Sequence, residues 1–499
     1  MEQPANKKEQ SINHNLKYQE PFRPQFHFSP LKNWMNDPNG LIFLNGKYHL
    51  FFQYNPHGNQ WGNISWGHAV SEDLVHWKEW PVAIPAEKNM VFSGTAVLDE
   101  NNTAGFGEGA LVAVYTSFEY EEKKGELNCI AQHQSIAYSH DEGLTFTKYK
   151  DNPVLDMRAR DFRDPKVFWH EPTQKWIMLV CLSDQFKIVF YNSPDLITWN
   201  KKSEFGPRGN TSELWECPDL FPLKIRGEGN CKWVLTVSCG SPFAGYIGMQ
   251  YFIGDFDGSE FTADDLVYPC YLEHGKDFYA GITFNNIPSL DDAIMIGWVS
   301  NHIYAKYLPT YPWRGAMSIP RKLFLQKNKS GKLKLYQTPF ESLIQLRKNE
   351  SINFPKKLTD DVFSVPINYF SFEFLIELNI ESAIKTGLKI TDSKNGVILI
   401  FYNTKQEVFS FDRRRSGEID FFEGFKSKEN IPLKLNDSSL KLRLFADQSI
   451  MEIFINDGEL TITQRVFPTS GGFILSLFAD DGTVHFPHLK LYKLQSIWK

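Results

Sequence analysis

The sequence predicts an all-β protein in which a five-bladed β-propeller is followed by a C-terminal β-sandwich. Three observations carry that prediction. Short apolar runs recur along the chain, opening at Tyr48, Ala110, Trp176, Trp233 and Ala293, which lie 62, 66, 57 and 60 positions apart. A turn motif travels with them, in Ser71-Glu72-Asp73-Leu74-Val75-His76-Trp77, Ser139-His140-Asp141-Glu142-Gly143-Leu144-Thr145-Phe146 and Ser193-Pro194-Asp195-Leu196-Ile197-Thr198-Trp199; the first and last share the form S-x-D-L-x-x-W. From about residue 355 the pattern changes to alternating strands, as in residues 371–377 and 440–444, without that motif. A nearly fixed period of this length, built from short strands and turns, points to propeller blades, and five repeats imply five blades. Alternation without the repeat implies a sandwich.

Residues 1–20 are polar and rich in Lys, Asn, Gln and Glu, so they are expected to be disordered. They lack the apolar core of a secretion signal, so a cytoplasmic location is expected of the sequence as it stands, and a secreted or periplasmic one if a signal was removed. Residues 21–340 hold the five repeats of the expected propeller, residues 341–354 are the expected linker, and residues 355–499 the expected sandwich. Gly105-Phe106-Gly107-Glu108-Gly109 lacks the Lys-Ser/Thr of a phosphate loop and reads as a blade turn. Residues 447–458 read as a strand entering a hairpin turn at Asn456-Asp457-Gly458, with a structural role for its acids.

Composition removes several function classes. With 53 basic against 59 acidic residues and a formal charge of -6, nothing electrostatic calls for nucleic acid. No apolar run approaches membrane-spanning length, so no membrane insertion is expected. The six cysteines form no C-x-x-C pair and no metal-like Cys/His spacing, and the acids form no hexacoordinate oxygen cluster, so neither a metal nor an organic cofactor is implied. The sequence makes no statement about oligomeric state. Aromatic residues at 15% suit a β-rich core and also the apolar faces of sugar rings.

Three acidic stations stand out: Trp34-Met35-Asn36-Asp37-Pro38-Asn39-Gly40, Phe162-Arg163-Asp164-Pro165 and Trp215-Glu216-Cys217-Pro218-Asp219. Taken singly, the first reads as a turn and the second as an ion pair. Glu216, between Trp215 and Cys217, is not explained that way. Asp37 precedes the first repeat by 11 residues, Asp164 the third by 12 and Glu216 the fourth by 17, which puts each on or near the strand before the repeated one. Ser93-Gly94 and Tyr279-Ala280 hold the equivalent places in the second and fifth repeats. The first strand of a blade lines the central channel, so acids about 180 residues apart can meet across one axial cavity.

These stations, in this order, resemble the three signatures of the β-fructofuranosidase family, glycoside hydrolase family 32, which includes invertases, levanases and exo-inulinases. The similarity runs from about Phe22 to the C-terminus. Residues 58–68, 203–206 and 215–222 are more similar to the levanase and exo-inulinase branch than to plant-type invertases. The resemblance implies a five-bladed propeller followed by a sandwich, no cofactor, and a fructan or sucrose substrate cleaved by an exo-acting retaining enzyme. It further implies Asp37 as nucleophile, Glu216 as general acid and base with a raised pKa, and Asp164 as transition-state stabiliser. Asn36, Gln53, Ser93 and Arg163 resemble the family's hydroxyl-binding groups, and Trp34 belongs to the first signature at the same site. Trp61, Phe92 and Trp313 resemble its apolar walls. Other readings remain open at this stage: a sucrose-specific or sucrose-6-phosphate hydrolase, a fructosyltransferase, an inverting propeller glycosidase, and a non-catalytic sugar-binding propeller.

Overall fold

The computed structural model describes residues 18–498, apart from 124, 266, 267, 289–292 and 470. The expected disordered segment, residues 1–20, therefore lies outside the described residues as far as residue 17. The described chain is dominated by β-strands, with 3-10 turns as its helical pieces. Among the described residues no helix is long and apolar enough to cross a membrane.

Five antiparallel sheets radiate from one axis, and the innermost strands are Asn33–Leu44, Met90–Asp99, Phe162–His170, Glu216–Lys224 and Tyr279–Thr283. Each contacts the next, and the fifth contacts the first, so the ring is closed. Closure is reinforced by the two-residue strand Trp313–Arg314, which pairs in parallel with Asn33 and Trp34 on the first blade. The recurring apolar runs are the second strands of the blades, buried because both faces of an inner blade strand pack on neighbouring blades.

The repeated turn motif has a clear physical basis. Asp73 Oδ1 accepts the Ser71 hydroxyl at 3.0 Å and the backbone N–H groups of Val75 and His76 at 2.9 and 2.8 Å, while the Trp77 indole donates to the Leu74 carbonyl. Asp195, Ser193, Ile197, Thr198 and Trp199 repeat this arrangement in the third blade. Leu74 and Leu196 both sit at positive φ, 65° and 63°. A short acid that captures consecutive N–H groups stabilises this otherwise disfavoured turn, and the aromatic side chain covers it. Hence the chain reuses the same residues where the third strand turns into the fourth in the first and third blades.

The C-terminal part is a single 11-stranded antiparallel sheet bent upon itself to give the two layers of a sandwich. Its last strand, Phe473–Leu494, serves both layers by pairing with Lys357–Ile367, Ser371–Ile380 and Lys385–Asp392. A contiguous apolar core from Leu358 to Leu491 fills the interior. The expected linker is itself ordered: it carries the 3-10 turn Glu341–Leu346 and the strand Arg347–Asn349, which pairs with the end of the last strand.

The acids of residues 447–458 join the two parts. Asp447 accepts the backbone N–H groups of Gln25, Phe26 and His27, and His27 bridges Asp447 and Glu452 through its two ring nitrogens at 2.8 and 3.0 Å. Glu452 and Glu273 together hold the buried Arg321 guanidinium. Such a network fixes one docking orientation, because any displacement leaves a buried charge unpaired.

Candidate active site

All five innermost strands break register at the same end of the channel. The irregularities fall between Met35 and Pro38, Val91 and Gly94, Arg163 and Lys166, Glu216 and Asp219, and Tyr279 and Ile282. A bulge inserts an unpaired residue and re-aims its side chain. Here it turns Asp37, Ser93 and Asp164 toward the axis. Asp164, Cys217 and Ala280 take positive φ values of 65°, 47° and 53°, which a regular strand would not allow. Proline follows in three of the five, as Pro38, Pro165 and Pro218, because a bulge is a place in a sheet where a missing N–H costs no ladder bond. The acid–proline adjacency in the sequence is the trace of these bulges.

The carboxylates meet in one polar lattice. Asp37 accepts from the Ser93 hydroxyl at 2.8 Å and from the Asn36 amide at 3.1 Å. That amide also donates to Gln53, whose own amide donates to Ser93 at 2.6 Å, and the Trp34 indole donates to Asn36 at 2.7 Å. Asp164 accepts the Cys217 backbone N–H at 3.0 Å, and the Cys217 thiol lies 3.7 Å from both Asp164 Oδ2 and Asp37 Oδ2. Glu216 accepts Arg163 Nε at 3.0 Å and the Tyr279 hydroxyl at 2.5 Å, while Arg163 is anchored by Gln132 and Asp161.

Above this lattice opens a cavity of about 400 Å³ whose wall includes every sequence candidate except Trp313. Its floor is sealed. Lys166 Nζ reaches Asp219 and the Thr283 carbonyl, and Asn285 donates to Thr95, Ala96 and Val167, so side chains from four blades plug the channel. A larger depression of about 610 Å³ lies at the other end of the channel, but none of the three acids reaches it. Chemistry, not size, selects the site.

Trp313 requires a correction. Its ring is fully buried with Val299, Ala316 and Ile450, and the Arg23 guanidinium lies 4.6 Å from the ring centroid. The parallel pairing with Asn33 and Trp34 puts it behind the strand that carries Asp37, where it supports the strand and forms no part of the cavity wall. Conversely, Tyr279, His302 and Lys306 are site residues that sequence reasoning misses. Tyr279 holds the right place in the fifth repeat, where a rule that asks for an acid passes over it. His302 and Lys306 belong to the irregular segment after the strand Ala293–Trp298 and carry no periodic signal.

The charge distribution corrects a second expectation, that Glu216 holds the proton. Burial acts to raise the Glu216 carboxyl, but Arg163, His302 and the Tyr279 hydroxyl outweigh it and hold it below the usual range. Burial raises Asp37 despite the opposing pull of His302, Ser93 and Asn36. Burial, reinforced by Glu216, pushes Asp164 up to about 7 against the pull of Arg163. The open site thus keeps a carboxyl proton near neutral pH, shared within the triad and drawn away from Glu216.

A blind propeller channel ending in three interacting carboxylates, below a sugar-sized cavity edged by indole and phenyl rings, defines a glycoside hydrolase. The family model described as Glycosyl hydrolases family 32 N-terminal domain matches residues 27–339, and that described as Glycosyl hydrolases family 32 C terminal matches residues 341–493. The chain belongs to glycosyl hydrolase family 32. Among its relatives, a levanase of Bacillus subtilis is 42% identical over 96% of this chain and 72% of its own length. An extracellular exo-inulinase of Aspergillus awamori is 40% identical over 98% of this chain and 97% of its own. The crystal structure of exo-inulinase from Aspergillus awamori superposes with a TM-score of 0.91 at 39% identity, over 97% of this chain and 100% of that one. A β-fructofuranosidase from Schwanniomyces occidentalis, solved with fructosyl-erythritol, gives 0.84 at 31% identity over 97% and 100%.

Proposed function

We propose that this enzyme is an exo-acting, retaining β-fructosidase that releases terminal fructose from fructans of the levan and inulin type and also cleaves sucrose. The convergence of Asp37, Asp164 and Glu216 at the closed end of a single-mouthed cavity is the observation that carries this reading. A pocket with one mouth admits the end of a chain and not its middle, which is the meaning of exo action. The levanase and exo-inulinase relatives support fructan as the polymer.

In this reading Asp37 attacks the anomeric carbon, Glu216 protonates the departing oxygen and then activates water, and Asp164 with Arg163 holds the fructose hydroxyls. Retention needs the attacking and protonating carboxyls about 5 Å apart, too close for an intervening water. Substrate moves the proton to where it is needed. A fructosyl ring filling the cavity completes the burial of Glu216, which raises its pKa, while its hydroxyls donate to Asp37 and Asp164 and lower theirs. Trp61 and Phe92, whose ring centroids lie 6.1 Å apart in an edge arrangement, give the sugar an apolar wall near the mouth.

The decisive experiment combines products and variants. Hydrolysis of levan, inulin and sucrose should release monomeric fructose from the outset, with the anomeric configuration of the first product retained. Asp37→Asn and Glu216→Gln should each lower kcat by at least ~100-fold. Near-full activity in either variant, an inverted first product, or oligosaccharides appearing before fructose would sink the proposal. A sucrose- or sucrose-6-phosphate-specific hydrolase would instead leave both polymers untouched.

A further inference from the structure

The junction of propeller and sandwich contains a cation that no side chain among the described residues answers. Arg465 ends the strand Leu460–Arg465 and is fully buried, yet among the described residues its Nε and both terminal nitrogens have no hydrogen-bond partner. Its guanidinium faces two rings, 5.7 Å from the Trp313 centroid and 5.2 Å from that of Phe467. The Trp313 indole N–H, equally buried, also has no acceptor among the described residues.

The charged and titratable groups nearest Arg465 are Asp277, Asp447, Arg413 and the Tyr304 phenol. Both acids are committed elsewhere. Asp277 accepts from Arg413, from the Tyr304 hydroxyl and from the Arg465 backbone N–H. Asp447 is taken up by His27, by the Gln25 and Phe26 N–H groups and by Ser371. Burial accordingly pushes Arg465 down to about 10 in spite of the pull of these acids.

An unpaired buried guanidinium is strongly unfavourable, and ring faces offset only part of that cost. Every unanswered polar atom of Arg465 and Trp313 is a donor. Their complement is an acceptor that brings no protons of its own. A third guanidinium, that of Arg23, faces the same indole but is held by Glu20. We infer that Arg465 and the Trp313 indole N–H form a buried site for a small monovalent inorganic anion of the chloride class. Since Trp313 pairs with Asn33 at the start of the strand that carries Asp37, the bound anion braces the nucleophile's strand from behind.

The test uses the intact protein with halide as the probe. Crystals soaked in bromide should show an anomalous peak within hydrogen-bond reach of Arg465 and Trp313; full-occupancy water there without an anomalous peak overturns the inference. In solution at fixed ionic strength, replacing gluconate with chloride or bromide should raise the melting temperature by roughly 2–4 °C. Arg465→Met should abolish that dependence. A wild-type melting temperature indifferent to halide also overturns the inference. Should Arg465→Met not fold, the wild-type titration and the anomalous map still decide.

Discussion

Replacing Tyr279 by Phe isolates one hydrogen bond at the centre of the chemistry. The Tyr279 ring is buried and packs edge-on against His302 at 5.2 Å, and Phe preserves that volume and contact. What is lost is the hydroxyl that donates to Glu216 Oε2 at 2.5 Å. That bond stabilises the ionised carboxylate and is one of the influences holding Glu216 low. A buried hydrogen bond to a charged group contributes about 1.5–3 kcal/mol, and about 1.36 kcal/mol corresponds to one pH unit. With the donor gone the charged form is less stable, the proton is retained to higher pH, and the alkaline limb of the kcat profile, which reports the substrate-bound enzyme in which Glu216 carries the proton, moves upward. The expected displacement is about one unit or more, read from fructose release across pH 4–9. An alkaline limb that stays in place, or moves to lower pH, refutes the assignment of Tyr279 to the ionised acid, whatever happens to the rate.

Three further outcomes are expected. Ser93→Ala removes a donor that lowers Asp37, so Asp37 titrates at higher pH, and activity at the acid end of the profile should fall roughly tenfold or more relative to its optimum. Arg321→Met leaves Glu273 buried without its cation and Glu452 with His27 alone; urea unfolding should show a loss of about 3–5 kcal/mol, and a loss below 1 kcal/mol would contradict the network's structural role. The His27 imidazole is raised, burial acting downward but Asp447 and Glu452 prevailing, so its stabilising contribution is complete below its ordinary value of about 6.5 and disappears as pH rises through the higher folded value. The stability gap between wild type and His27→Gln should therefore be larger at pH 6 than at pH 10.

The legibility of this chain varies with how much local structure each residue has to impose. The propeller repeat is readable because turns such as Ser71–Trp77 are solved by side chains within the motif, so the motif returns intact in the third blade. The acids are readable for a related reason: a bulge that aims a carboxylate at the axis accommodates proline, and Asp37-Pro38 and Asp164-Pro165 record two such bulges, while Cys217-Pro218 records the bulge that follows Glu216. Residues supplied by irregular connections leave no such record. His302 and Lys306 reach the cavity because the segment between Trp298 and Trp313 folds over its edge, held by Arg314, which donates to the carbonyls of Lys306, Leu308 and Thr310.

The same distinction accounts for both errors. Trp313 lies beside Asn33 and Trp34, so a motif-level reading places it near the site correctly, but which face of the strand it occupies depends on a parallel pairing between residues about 280 apart. The apolar sequence neighbours of Glu216 assign it the proton. Its actual charge state is governed by Arg163, 53 positions away, and Tyr279, 63 positions away. A carboxylate's ionisation is a property of the assembled channel, because three blades contribute the charges and donors around it. Sequence neighbours report only the burial contribution, which here points upward and is overruled.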